Sequence, residues 1–250
     1  LKMPNNPVIL SKKRDFSAYG IKIVFTDDAL RIFASKAALE NTGARGLVSV
    51  VEDSLLEFEE KLPSRHINCF AITKELLTEP QAQLKELLSL EHTENFEAFY
   101  QKAFKAHHSD IIDYINDKWQ AMTLKHNLAQ TETRCSLIAH YFCNSVMEIE
   151  AAVTKIKNYH NAVKEIEVEV LKSFSLNIIF EEDAVDLLLE QFVHHKASTE
   201  EIISKIYTDF YDGLNLVREK TGKDRFFLSK HALTDHHYYL DELIKKEISI

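Results

Sequence analysis

Chain breakers are scarce in this sequence. Its 250 residues include only 5 glycines and 4 prolines. Few points therefore force a helix to stop, and the leucine-, glutamate-, lysine- and alanine-rich background reads as a predominantly helical globular chain. Cysteine is equally sparse. Cys69, Cys135 and Cys143 lie far apart, an odd count with no framework, which excludes a disulfide scaffold. That usage points to a reducing compartment, and a cytoplasmic location is expected. No apolar run approaches the ~20 residues that span a bilayer. No secretory signal is expected from the composition of these residues. Basic runs are also missing, and the net charge is −9. Nucleic acid and an anionic membrane are therefore not expected partners. There is no GxxxxGK[ST] and no acidic strand end of the Walker B kind. This chain by itself thus lacks the means to hydrolyse ATP by a P-loop mechanism. HExxH, HxH and CxxC spacings are absent too, as are nucleophile motifs, so no catalytic residue and no metal ligand is assigned.

What is present centres on residues 25–64, FTDDALRIFASKAALENTGARGLVSVVEDSLLEFEEKLPS. Ala29, Ile32, Phe33, Ala37 and Leu39 recur at helical spacing on one side of Thr42-Gly43-Ala44-Arg45-Gly46-Leu47. Leu47, Val50, Val51, Leu55 and Phe58 do so on the other. Gly43 suits a left-handed helix end. Gly46 allows two backbones to approach closely. Arg45 is then carried on the first turn of the second helix. A cation there is mildly unfavourable against the helix dipole. The same end is a natural anion site, because free N–H groups and the guanidinium point one way. Spacing alone leaves two readings open. Arg45 is a phosphate sensor, or it is a surface arginine paired with Asp27, Asp28 or Glu40.

The string resembles the small C-terminal AAA+ subdomain of ClpX-type Clp ATP-binding subunits. The LKMPNNP entry at residues 1–7, followed by a helix to Gly20, fits the same pattern. The resemblance covers about residues 1–75 and implies a lid subdomain. It implies that Arg45 is the sensor-2 residue, with Gly43 and Ala44 completing the nucleotide-facing triplet. ATP and magnesium would then be bound in the full-length parent, by a large subdomain upstream of Leu1, and not by this fragment alone. The implied partners are that upstream subdomain, neighbouring subunits, and a client protein or protease. One departure is Val48, which stands where the family usually carries a second arginine.

Residues 8–19 read as a helix, 21–25 and 66–72 as strands, and Thr26 as an N-cap with Asp27 and Asp28 in the first turn. A further helix opens at Thr78-Glu79-Pro80. The far end repeats this pattern. Leu176 to Val185 parallels Ile21 to Leu30, and Leu228 to Asp235 parallels Ile72 to Glu79. This reads either as an internal duplication, residues 20–88 and 175–244, or as two generic βααβ stretches. At the duplicated junction, Ser198-Thr199-Glu200-Glu201-Ile202 replaces GARGL. A glutamate stands in place of Arg45, so a structural or binding role is expected for that copy.

The middle is expected to be a helical hairpin. Phe96, Phe99, Phe104, Ile111, Ile115 and Trp119 line one helix. Phe142, Val146, Ile149, Val153, Ile156, Val163, Ile166 and Val170 form a heptad-like seam on a single second helix over 131–174. The pairs His107-His108, His194-His195 and His236-His237 read as solvated or capping residues. Cys135 and Cys143 read as core thiols.

The expected fold class is α+β and predominantly helical. It comprises a lid-like βααβ unit (1–90), a helical hairpin (91–174) and a degenerate second lid-like copy (175–250). The function this implies is the C-terminal part of a ClpX-related AAA+ ATPase or unfoldase. The alternative is a helical adaptor or protein-interaction module.

Overall fold

A computed structural model describes residues 3–39, 44–63, 65, 67–89 and 93–248, with the side chains of 44, 93 and 94 excepted. The fold is α+β and mainly helical. It forms two compact units. The first comprises Leu1–Met122 and Ile138–Ala152, the second Thr123–Leu137 and Val153–Ile250.

The first unit begins with α1 (Pro7–Ala18). Asn6 caps it by accepting from the backbone N–H of Val8 and Ile9 at 3.1 and 3.2 Å. Pro7 occupies the first turn, where a missing N–H costs nothing. Strand β1 (Lys22–Phe25) pairs in parallel with β2 (Cys69–Ile72), Lys22 opposite Cys69. Two parallel strands are too few to bury themselves, so helices must cover them. α2 (Asp27–Leu39) and α3 (Ala44–Lys61) follow β1. α4 (Lys74–Thr78) and α5 (Pro80–Ser89) follow β2. Phe16, Phe33, Phe58 and Phe70 are almost fully buried. Phe16 meets Phe70 edge-on at 5.4 Å, and Phe58 stacks on Phe70 at 6.3 Å. α6 (Thr93–Thr123) completes the run. Its buried stripe uses Tyr100, Ile111, Ile115 and Trp119. Phe99 is 47% exposed, against expectation, because Tyr100 takes the inward position between Phe96 and Phe104.

The second unit has the same order of elements. α8 (Ile149–Phe174) precedes β3 (Asn177–Phe180), α9 (Glu182–Glu190), α10 (Thr199–Thr221), β4 (Arg225–Leu228), α11 (Lys230–Thr234) and α12 (His236–Ile248). β3 and β4 are again parallel, Asn177 opposite Arg225. Strand ends match in detail. Thr26 donates its N–H to Ile72 O at 3.0 Å, and Glu181 donates to Leu228 O at 2.9 Å. Thr73 caps α4 and Ser229 caps α11, each accepting from the N–H three residues on. Gly213 admits α12 close to α10, since a Cβ there would lie 2.7 Å from Leu240 Cδ2.

The middle of the chain departs from the expected hairpin. One helix was expected over 131–174. The chain forms two instead, α7 (Glu132–Asn144) and α8, with a break at residues 145–148. Asn144 folds its amide back to donate to His140 O at 3.0 Å, and Met147 N–H bonds Ser145 O at 2.9 Å. Asn5 then caps the new start by accepting from Ile149 N–H at 2.9 Å. The stretch is also not a unit of its own, being divided between the two units. Its seam is buried from Ile149 to Val170 within them.

Sequence patterning gives no sign of Arg134. It is fully buried in the second unit. It donates to Glu182 Oε2 at 2.6 Å and to Ala129 O at 3.1 Å. Its Nε lies 2.8 Å from Asp186 Oδ1, off the line of a hydrogen bond. Burial raises the Asp186 pKa, opposed by Thr131 and by the Arg134 charge. Arg134→Met should lower the unfolding free energy by about 3–5 kcal/mol, because Asp186 keeps its burial and loses its countercharge. Arg134→Met with Asp186→Leu should recover most of that loss. Urea unfolding of the three proteins checks both statements.

Candidate functional site

The corner between α2 and α3 holds the residue singled out by sequence. Thr26 fixes the start of α2: its hydroxyl donates to Ile72 O at 3.2 Å and accepts from Ala29 N–H at 3.4 Å. Ala29 and Phe33 anchor α2 in the core, while Val50, Val51, Leu55 and Phe58 anchor α3. Arg45 is the second residue of α3 and is exposed. Gly46 beside it is buried. Among the described residues Arg45 enters no ion pair, Asp27 and Asp28 included. The corner therefore presents an exposed guanidinium on the first turn of a helix, at the positive end of its dipole, a combination suited to an anion. Gly43 lies outside the described residues, as does Glu40. Ala44 opens α3, and nothing further is described of its side chain.

The second unit builds the corresponding corner with other means. α9 runs into a single π-helical segment, Gln191–His195, which ends on Lys196 in the left-handed region at φ 52 and ψ 33. α10 opens with a capping box. Glu201 N–H donates to Ser198 Oγ at 3.2 Å, and Ser198 N–H donates to Glu201 Oε2 at 2.8 Å. Glu200 is the second residue of α10, as Arg45 is of α3. Its pKa is lowered by its own backbone N–H and then by Thr199, so it stays ionised. One corner carries a cation and the other an anion at the same helical position.

A second constellation in the first unit escaped the sequence reading. A cavity of about 540 Å³ is bounded by α1, α2, α6 and α7. Inside it Lys13 Nζ lies 3.4 Å from His107 Nε2 and 5.8 Å from the centre of the Phe142 ring. Burial lowers the Lys13 pKa. Burial, then the Lys13 charge, hold His107 down at about 3. Burial pushes the Cys143 thiol up to about 11. His107 was expected to be solvated or capping; it is half-buried, because α6 turns it toward Lys13 on α1. Its partners are 94 residues apart, which no local pattern reveals. Neighbouring Lys12 shows the contrast. It too is buried, but Glu59 at 2.8 Å and Asp15 at 3.2 Å outweigh burial and raise its pKa.

Cys135 is buried and Cys143 half-buried, and all three cysteines are free thiols. Among the described residues no three His, Cys, Asp or Glu side chains converge as metal ligands. No helix among them is long and apolar enough to cross a membrane.

Comparison with known proteins gives a partial relationship. Over 65 residues, 26% of this chain, it is 38% identical to the ATP-dependent Clp protease ATP-binding subunit ClpX 2 of Wolinella succinogenes. Over the same length it is 37% identical to the ATP-dependent Clp protease ATP-binding subunit ClpX of Azotobacter vinelandii. The matched part spans only 16% and 15% of those proteins. No family model matches the chain, and no solved structure does.

The half-buried histidine gives a pH prediction. His107 has a folded pKa near 3 against an ordinary 6.5. The unfolded chain therefore takes up a proton as pH falls below about 6.5, and the folded chain does not. This contribution to stability is complete above that pH and is lost progressively toward pH 3. Between pH 7 and 5, His107→Gln should remove about 1–2 kcal/mol of the acid loss. Urea midpoints at the two pH values measure it.

Proposed function

We propose that the first unit is the small, lid-type subdomain of a ClpX-related AAA+ ATPase and that Arg45 is its sensor-2 residue. The observation that carries this reading is the exposed guanidinium on the first turn of α3, within GARGL. The 65-residue likeness to ClpX subunits supports it. On this reading ATP and magnesium are held mainly by a large AAA+ subdomain elsewhere in the parent protein. The nucleotide supplies the phosphate charge that Arg45 meets. Arg45 donates planar, charge-assisted hydrogen bonds to phosphate oxygens, and the α3 N-terminus adds its dipole. Gly43 and Ala44 let the backbone come near. The stacked phenylalanine core of the unit makes the lid a rigid body. Nucleotide state is then passed to a neighbouring subunit as rotation of that body. A protease or an unfolding client completes the set of partners, and a cytoplasmic site of action fits this role.

The second unit is read as a degenerate copy of the lid. Glu200 in the place of Arg45 would repel phosphate, so this copy serves structure or partner binding rather than nucleotide sensing.

In the parent ATPase, Arg45→Ala should lower kcat/KM for ATP by at least about tenfold, the scale of one lost charge-assisted phosphate contact. Arg45→Lys should retain part of it, and Glu200→Ala should leave it unchanged. An unaltered ATPase rate in Arg45→Ala contradicts the proposal.

A further inference from the structure

The second unit has a groove between the C-terminal half of α8 and the N-terminal half of α10, with a volume of about 660 Å³. Its floor includes Ile203, Phe174 and Tyr207, and its rim carries Glu165, Glu169 and Glu200. Tyr207 is 44% exposed. It is nevertheless held in place, its ring 4.6 Å from Phe174 and 4.8 Å from Tyr211. The floor is thus an ordered aromatic surface left open to solvent. An ordered aromatic surface beside exposed carboxylates is a shape that a partner's apolar side chains can cover.

The rim supplies the chemistry of the occupant. Three of the groove's described lining residues are carboxylates, Glu165, Glu169 and Glu200, and none of the described lining residues is lysine or arginine. Among the described residues none of the three enters an ion pair. Glu169 accepts only a hydroxyl, from Ser173 at 2.6 Å, and Glu200 accepts from the Thr199 hydroxyl at 3.2 Å. Carboxylates on one groove attract a cationic occupant and repel an anionic one. A basic residue beside each carboxylate and an apolar stripe over the rings describe one face of an amphipathic helix. The walls run from residue 165 to 174 and from 199 to 207, about 13–15 Å of helix, enough to seat roughly two and a half turns. An anionic membrane or a nucleic acid would meet the wrong charge.

We propose that this groove receives an amphipathic helical segment of a partner protein, with an apolar stripe flanked by lysine or arginine. The proposal stands on the groove alone and not on nucleotide sensing by Arg45.

The test uses the 250-residue chain. The probe is a fluorescent 14-residue leucine–lysine peptide of helical amphipathic pattern, read by anisotropy at low salt. Glu165→Lys with Glu200→Lys should weaken binding by at least about tenfold, and Tyr207→Ala by about fivefold or more. Reversing Glu52 and Asp53, exposed on α3, should change it less than about twofold. All these side chains are exposed, and circular dichroism confirms that the variants fold. Equal weakening by the α3 reversals overturns the proposal, because attraction would then be to net charge. So does equal binding of a scrambled peptide, or no effect of Tyr207→Ala. Self-association abolished by Tyr207→Ala also overturns it, since a second copy would then be the occupant.

Discussion

The whole arrangement depends on a parallel strand pair too small to shield itself. Four-residue strands, two to a sheet, cannot bury both faces, so helices must close around each pair. The backbone of each pair ends in one directed bond, Thr26 to Ile72 in the first unit and Glu181 to Leu228 in the second. That bond sets where the next helix starts. Arg45 and Glu200 are each the second residue of the second helix after the strand.

Much of this was legible because it is local. The strands at Lys22–Phe25 and Cys69–Ile72, the cap at Thr26 and the start of α3 all follow from alternation, hydroxyl caps and helical spacing. The shared order of strand, helices, strand and helices in residues 22–89 and 177–248 follows from the same local signals. What stayed hidden was long-range. The break at 145–148 is capped by Asn5, 144 residues earlier than Ile149. Arg134 sits inside the second unit only because Glu182 and Asp186 arrive from a different helix. Lys13 and His107 meet across the first unit. The π-helical segment before Lys196 has no compositional mark at all. A polar residue in an apolar stripe is uninformative until its partner is known.

The two corners show one scaffold with opposite charge. In the first, a cation stands on a helix start, where electrostatics alone would not put it. In the second, a carboxylate stands where the dipole favours it and joins an acidic, aromatic groove. Local stability explains the second corner better than the first. The place of the arginine is the one that stability leaves unexplained, and the proposed reading fills it with a phosphate.

The most direct measurement is the distance from the Arg45 guanidinium to the nucleotide in a structure of the proposed parent ATPase with a non-hydrolysable ATP analogue. The account predicts a hydrogen bond to a phosphate oxygen, about 2.7–2.9 Å. An Arg45 paired with a carboxylate of its own unit, with the phosphates out of reach, would contradict it.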